Sequence, residues 1–331
     1  MIHEHDKNFN LNSRLEVMNS LEKSVESVIA TYLNVIESNW QASDLLPVAS
    51  NESFISDFKI IQEQAKSLSK DFLVVLVGDT ITEEALPTYQ TWLAGVAGVN
   101  QHQNNNWMKW VRHWTAEENR HGDVLNRYLY LSGRICMKEF EASTQYLIAT
   151  GFDNQAKNDP YKNFVYTSFQ EAATNVSHRR VATLAKKEGN VVLSRLCGLV
   201  ASDEARHAKA YKAFVNLIFE VDANEMMVAF ESMMRSKILM PAVTLRQLGS
   251  DENIFSGFSL AAQRIGVYTS HDYVDILSSL LNDWRIDKIT GLQEDGEKAR
   301  DYLMLLPSRL LKIIERIKTP NSELNFKWIL N

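Results

Sequence analysis

Two short segments constrain this chain more than anything else in it. Glu118-Asn119-Arg120-His121 and Glu204-Ala205-Arg206-His207 are its two Glu-x-x-His sequences, and both carry Arg before the His. One copy alone reads as a solvated helix pair. Here each copy falls on an apolar stripe with helical spacing. Trp110, Trp114, Glu118, His121, Leu125 and Leu129 follow in steps of 4, 4, 3, 4 and 4. Leu193, Cys197, Val200, Glu204, His207, Tyr211, Phe214 and Ile218 follow in steps of 4, 3, 4, 3, 4, 3 and 4. Such stripes face the core of a helical bundle, where a bare carboxylate is costly to bury. Something must neutralise these groups.

A helix presents positions i and i+3 on one face, so each segment projects a carboxylate and an imidazole inward. Carboxylate-bridged dimetal bundles need two such helices plus one Glu from each of two more. Glu83 precedes Glu118 by 35 residues and Glu171 precedes Glu204 by 33, about one long helix, a turn and part of the return helix. The pattern occurs twice, as a duplicated helix pair gives. Taken alone, Glu83 beside Thr82 reads as an N-terminal helix carboxylate and Glu171 as a surface acid; the doubled spacing lifts both. Four carboxylates and two divalent ions cancel in charge while both His stay neutral. Oxygen and imidazole ligands without a Cys suit iron or manganese rather than a thiolate zinc site, and iron is preferred because this ligand set goes with oxygen activation.

Gly (13) and Pro (6) are scarce in 331 residues, which favours long helices. Helices are expected near 12–40, 53–68, 72–103, 107–133, 160–188 and 190–219, with shorter ones near 223–239, 254–267, 271–283 and 294–317. Leu73–Val77 is rich in β-branched residues, yet the segment after it continues without a break and the run is read as helical. Linkers are expected at 42–51, 151–159 and 240–253. The fold class is all-α, a ferritin-like helical bundle with additional packed helices, in a single domain over 1–331 with 1–10 disordered. The net charge, 35 − 41 = −6, argues against nucleic-acid binding. The longest apolar run, Phe72 to Val77, is too short to span a bilayer. Two cysteines, Cys136 and Cys197, without a disulfide-like framework fit a reducing compartment.

Longer strings carry a resemblance. Val77-Gly-Asp-Thr-Ile-Thr-Glu-Glu-Ala-Leu-Pro-Thr-Tyr-Gln90, Trp114-Thr-Ala-Glu-Glu-Asn-Arg-His-Gly-Asp123, Tyr166-Thr-Ser-Phe-Gln-Glu171, Asp203-Glu-Ala-Arg-His207 and Ile265-Gly-Val-Tyr268 are similar to the plant-type acyl-carrier-protein desaturases, in unbroken order from about residue 39 to 331. The resemblance implies two iron ions per subunit, bridged by Glu118 and Glu204. Glu83 and His121 would complete one iron, Glu171 and His207 the other. Thr174 would stand beside the oxygen-binding face, Asp203 would orient a ligand imidazole, and Trp40 would extend that path toward the surface. It further implies an acyl carrier protein bearing the substrate, a ferredoxin-type electron donor, a homodimer, and insertion of a cis double bond. A bacterial cytoplasm is expected, or the plastid stroma for a mature plant form. The alternative is hydroxylation or another oxygenation by the same centre.

Some positions depart from that family. Residues 96–107 form a shorter segment, and Trp92 replaces a slimmer Met. Asn154 and Asn163 stand where Pro and Gly are usual. Trp92, Asn154 and Asn163 are therefore expected at a substrate tunnel, with chain length and double-bond position in their hands. For an acidic carrier, two basic groups are candidates: Arg179, Arg180, Lys186 and Lys187, and Arg309, Lys312, Arg316 and Lys318.

Overall fold

The computed structural model describes residues 2–100, 104–316 and 325–330, with the backbone alone given for 2–10. Its elements are α1 (Ile2–Leu21), α2 (Val25–Tyr32), α3 (Phe54–Ala65), α4 (Lys70–Glu84), α5 (Leu86–Ala94), α6 (Asn106–Ser132) and α7 (Met137–Thr150). There follow α8 (Pro160–Lys187), α9 (Val191–Val221), α10 (Ala223–Ser236), α11 (Phe255–Arg264), α12 (Ser270–Asp283) and α13 (Glu294–Ile314). Among the described residues no β-strand occurs, only isolated bridges from Ile135 to Ile329 and from Arg246 to Asn253. The chain is all-α, in keeping with the ferritin-like class.

Four helices, α4, α6, α8 and α9, make the centre, α4 lying against α6, α8 against α9 and α6 against α9. Each of the four opens on a side chain that accepts a backbone amide. Ser69 accepts from Phe72 (3.2 Å), Asn105 from Met108 (2.7 Å), Asp159 from Tyr161 (3.1 Å) and Asn190 from Leu193 (3.0 Å). Caps of this kind contribute about 1 kcal/mol each, and they fix the start of each helix and so which residues face inward. The α8–α9 turn is tight because one residue serves both helices. Gly189 takes φ +79°, Asn190 N–H returns to the Ala185 carbonyl (2.8 Å), and the Asn190 side chain then caps α9.

Several boundaries differ from the sequence expectation. Of the first ten residues, expected to be disordered, Met1 lies outside the described residues and the backbone of 2–10 opens α1. The helix expected over 12–40 is cut at Leu21 and again at Tyr32, and short 3-10 turns follow at Ile36–Ser38 and Ala42–Asp44. The helix expected over 72–103 breaks at Ala85; its last residues, 101–103, lie outside the described ones. Pro87 offers no amide to the Glu83 carbonyl and its ring crowds that carbonyl. The Tyr89 hydroxyl instead donates to Thr82 O at 2.8 Å. Leu73–Val77 is helical and at most 1 % exposed throughout. Helix α7 occupies a stretch for which none was expected: its buried positions are Phe140, Ser143, Thr144 and Leu147, and the two polar ones hide the stripe.

Candidate metal centre

The four central helices bring all six predicted ligands together. Glu83 stands at the end of α4, Glu118 and His121 in the middle of α6, Glu171 midway along α8, and Glu204 and His207 in α9. All six are buried, Glu83 the most exposed at 8 %. They form two groups whose donor atoms lie within 4.8 Å of one another: Glu83, Glu118, His121 and Glu204, and Glu118, Glu171, Glu204 and His207. Glu118 and Glu204 belong to both. His121 Nδ1 lies 3.1 Å from Glu118 Oε2 and 3.1 Å from Glu204 Oε1, and 3.7 Å from Glu83 Oε2. His207 Nδ1 lies 2.6 Å from Glu118 Oε1 and 3.6 Å from Glu171 Oε2. Despite that proximity His207 Nδ1, Glu118 Oε1 and Glu171 Oε2 make no hydrogen bond. Buried polar atoms with no partner, converging on one point, fit a metal ion, and the oxygen-and-imidazole set fits iron or manganese.

Each imidazole turns its other nitrogen to a carboxylate of the opposite helix. His121 Nε2 faces Asp203 Oδ2 at 3.4 Å, and His207 Nε2 donates to Glu117 Oε2 at 2.8 Å. A carboxylate brings no proton, so Nε2 carries the hydrogen and Nδ1 is left for the metal. Two arginines cross-brace the pair: Arg120 donates to Asp203 (2.8 Å), and Arg206 donates to Glu117 (2.6 Å) and to Asp203 (2.7 Å). The segment after α2 closes over this network, Asn34 N–H donating to Glu117 (3.0 Å) and Trp40 Nε1 to Asp203 (3.1 Å). Trp40 also stacks on His121, centroids 6.1 Å apart. Asp203 thus lies against one imidazole of the cluster, and Trp40 donates to Asp203. Glu117 was overlooked, although it holds the same place before Glu118 as Asp203 before Glu204, and Arg120 and Arg206 were noted in the two segments without a role.

The terminal carboxylates differ. Glu83 lies in the C-terminal turn of α4, not at a helix start, and the helix dipole disfavours a negative charge there. His178, buried on α8, donates Nε2–H to its outer oxygen at 2.7 Å. Burial pushes Glu83 up, but the neighbouring imidazoles of His121 and His178 overcome it and lower its pKa to about 2. Glu171 lies well above the usual carboxylate range, raised by burial and by the charges of Glu118 and Glu204. Burial opposes charge on His121 and His207, yet the Glu118 charge and the surrounding carboxylates raise both well above the usual imidazole range. Without metal, protons therefore hold the cluster's charges apart.

Thr174, one turn after Glu171, places its hydroxyl 2.6 Å from Glu204 Oε2. Gly122 follows His121 where α6 crosses the end of α4; a Cβ there would lie 3.2 Å from Glu84 N and 3.3 Å from the Glu83 carbonyl carbon. Beside the ligands is a cavity of ≈ 230 Å³ with walls from Ala173, Ile238, Met240, Phe255, Phe258 and Tyr268. It reaches Thr82, Glu83 and Thr174, which also border the space of only ≈ 10 Å³ between the ligands. Trp92, Asn154 and Asn163 are not among its walls. Trp92 stands edge-on to Tyr166 at 5.8 Å. Asn154 donates to Asn163 Oδ1 at 2.9 Å, and Asn163 donates to the Lys157 and Asp159 carbonyls. That amide pair ties the loop before α8.

The comparisons with known proteins agree with this geometry. A family described as fatty acid desaturase matches residues 13–330. Stearoyl-[acyl-carrier-protein] 9-desaturase 1 of Arabidopsis thaliana is 46% identical over 323 residues, 96% of this chain and 82% of the relative. The Spinacia oleracea stearoyl-[acyl-carrier-protein] 9-desaturase is 47% identical over 324 residues, 96% of this chain and 81% of the relative. Palmitoyl-[acyl-carrier-protein] 4-desaturase 3 of Ophrys sphegodes is 45% identical over 323 residues, with the same coverage of each. Among solved structures, a Mycobacterium tuberculosis protein assigned as an acyl-ACP desaturase, DesA2, aligns with a TM-score of 0.53 at 18% identity, over 86% of this chain and 99% of that one, and shows the shared fold. Matched by that family and those relatives over nearly its whole length, the chain belongs to the fatty acid desaturases.

Proposed function

We propose that this chain is an oxygen-dependent acyl-[acyl-carrier-protein] desaturase, an oxidoreductase that inserts a cis double bond into a saturated acyl chain held on acyl carrier protein. The observation that carries the reading is the junction of two ligand groups, sharing Glu118 and Glu204, with an apolar cavity that ends at Thr82, Glu83 and Thr174. Two iron ions per chain, when bound, supply the reduction of O₂ and the oxidation of an unactivated C–H bond. Glu83 and His121 hold one, Glu171 and His207 the other. The cavity wall holds the alkyl chain against Thr82, Glu83 and Thr174, so position along the wall selects the carbon that reacts. Thr174 offers its hydroxyl to Glu204 beside that space and can pass a proton there.

Electrons come from a ferredoxin-type donor, and the half-buried Trp40, joined through Asp203 to His121, is the route. The carrier docks at the groove between α11–α12 and α13, which shares Ser259, Tyr268 and Tyr273 with the cavity. Arg309, Lys312 and Arg316 are exposed beside it; Lys318 lies outside the described residues. The other basic group serves less well, because Arg180 is spent on a paired contact to Asp272 (2.6 and 2.5 Å). The working form is a homodimer in a bacterial cytoplasm, or in a plastid stroma for a mature plant form, and takes neither nucleic acid nor a membrane as partner. Among the described residues no helix is long and apolar enough to cross a membrane. A 9-desaturase and a 4-desaturase are nearly equally similar to this chain, so a few cavity residues rather than overall identity set the double-bond position.

The test is turnover of iron-loaded protein with reduced ferredoxin, O₂ and a ladder of acyl-carrier-protein thioesters, read by mass spectrometry. A product two hydrogens lighter at one chain length is expected. Addition of one oxygen atom would instead identify a hydroxylase. No oxidation of any acyl chain by iron-replete protein would remove the acyl substrate.

A further inference from the structure

The ≈ 230 Å³ cavity beside the ligands has an aromatic side. Phe255, Phe258, Ser259 and Ala262 of α11 line it, and their spacing of i, i+3, i+4 and i+7 is one face of a helix. Where α11 lies on α4, the Phe258 ring occupies the place of a side chain that α4 lacks. A Cβ at Gly78 would fall 2.2 Å from Phe258 Cε2 and 2.4 Å from Cδ2, far inside the 3.5–4.0 Å or so at which carbon atoms rest. Gly78 is buried within α4, where glycine is a poorer helix former than alanine. Helix α11 is held in this seat at each end. Arg264 donates to Asp71 of α4 at 2.8 and 2.7 Å, and Ile254 N–H donates to the Leu245 carbonyl at 3.0 Å.

Close helix packing alone would account for a glycine. Phe258 is more than a packing ring because its other side borders the cavity, and it is half-buried where Phe164, Phe169 and Phe214 are fully buried. Its place along α4 also matters. Gly78 lies one turn before Thr82, about 6 Å along the axis, and its carbonyl accepts the Thr82 hydroxyl at 2.9 Å. Thr82 is where the cavity reaches the space between the ligands. The ring therefore stands about one helical turn from the place of reaction. A ring displaced from Gly78 has the cavity to move into. A cavity of about 150 Å³ takes a whole benzene ring, so a phenyl swung into ≈ 230 Å³ removes a large share of it.

We propose that Phe258, seated on Gly78, gauges the width of the acyl chain, so that the site takes straight chains and refuses chains with a methyl branch near the carbons that react. The inference rests on the acyl desaturase reading above. A straight methylene chain runs past the ring without displacing it. A branch methyl needs the ring to yield, and the ring is backed by the α4 backbone at Gly78. In a closed apolar pocket one methylene too many costs about 10–200-fold in kcat/KM. Glycine at 78 and phenylalanine at 258 thus act as one unit: the first makes the seat, and the second sets how far the wall projects.

The experiment compares wild type, Phe258→Leu, Gly78→Ala and the double variant, each iron-loaded and checked for iron per chain and melting temperature. Each is given straight and methyl-branched acyl-carrier-protein thioesters of equal chain length, with kcat/KM read by mass spectrometry. Phe258→Leu is expected to raise the branched-to-straight ratio by about 10-fold or more. Gly78→Ala is expected to keep its iron and to lose about 10-fold or more on the straight chain, because the added methyl drives the ring into the cavity. The double variant is expected to recover most of that loss, since leucine leaves the methyl room, and such coupling is the mark of residues in contact. A change in melting temperature with an unchanged ratio in Phe258→Leu would overturn the inference and leave the proposed function standing. So would a wild type that takes the branched chain as readily as the straight one, or an iron-replete double variant as slow as Gly78→Ala. No oxidation of any acyl chain by the wild type would remove both.

Discussion

The α4–α6 and α8–α9 halves offer the centre the same residues and hold them differently. Each half gives one terminal Glu and one acid-Glu-x-Arg-His segment. In the first half the terminal ligand, Glu83, sits at a broken helix end, and His178 from the other half grips its outer oxygen. In the second, Glu171 lies inside an unbroken 28-residue helix, and its Oε2 has no hydrogen-bond partner. One carboxylate is held ionised to low pH and the other is pushed toward the neutral acid. The duplication supplies ligands; the surroundings make the two subsites unequal.

The largest expected effect separates shared from private ligands. Glu118→Ala removes a donor from both groups and is expected to abolish iron binding and turnover together. Glu171→Ala removes a donor from one group and is expected to retain metal on the other, with turnover lost. Iron per chain, measured by elemental analysis, decides it. Equal iron in the two variants would mean that Glu118 is not shared.

A step down in size are the carboxylates behind the imidazoles. Glu117→Gln and Asp203→Asn are each expected to lower metal affinity or turnover by about 10–100-fold. They should diverge in electron delivery, because Asp203 also carries Trp40 whereas Glu117 carries only the Asn34 amide and Arg206. Stopped-flow reduction by ferredoxin is expected to slow in Asp203→Asn more than in Glu117→Gln; equal slowing would leave Trp40 a merely structural neighbour.

How much of this was legible follows from where each signal lives. Four of the six candidate ligands were readable because burying a carboxylate on an apolar stripe is costly, and the doubled spacing added Glu83 and Glu171. Glu117 lies off that stripe, so periodicity passed it by, and only overlaying the two segments exposes it. His178, two turns after Glu171, reads merely as another polar residue until α8 and α4 are seen side by side. The break after Glu83 had its sign in Pro87, but the run of apolar residues on both sides outweighed it. The tunnel expectation for Trp92, Asn154 and Asn163 came from difference to relatives. The structure puts an aromatic contact and an amide pair there, neither on the cavity wall.

Smaller again is the proton linkage, in which the halves oppose each other. Without metal, His121, His207 and Glu171 all hold protons above their usual pKa values, and metal must displace them. Affinity for iron is therefore expected to rise with pH, about tenfold per unit for each proton released. Calorimetry in buffers of different ionisation enthalpy measures the release. Glu83 runs the other way in the stability of the metal-free protein. Its lowered pKa contributes stability that is fully present above about 4.5, its ordinary value, and is lost as pH falls to about 2. Glu171, with its raised pKa, weakens the fold as pH rises above that ordinary value. His178→Leu is expected to flatten the acid limb of the melting curve and leave the Glu171 limb unchanged.

The smallest effect tests the helix crossings. The residue after each ligand His is Gly122 in one half and Ala208 in the other. Only the broken end of α4 comes close enough to α6 to need the missing side chain, since a methyl on Gly122 meets backbone at 3.2–3.3 Å. Gly122→Ala is expected to destabilise by about 1–3 kcal/mol through overpacking, although alanine is the better helix former. Ala208→Gly overpacks nothing; it removes a buried methyl and adds the helix-propensity difference, about 1–2 kcal/mol together. Thermal melts of the metal-free proteins read both. Loss of iron in Gly122→Ala alone would place the consequence at Glu83, the ligand whose carbonyl that methyl would touch. A stabilised Gly122→Ala would mean that α4 can retreat from α6, and the first half would then be no more constrained than the second.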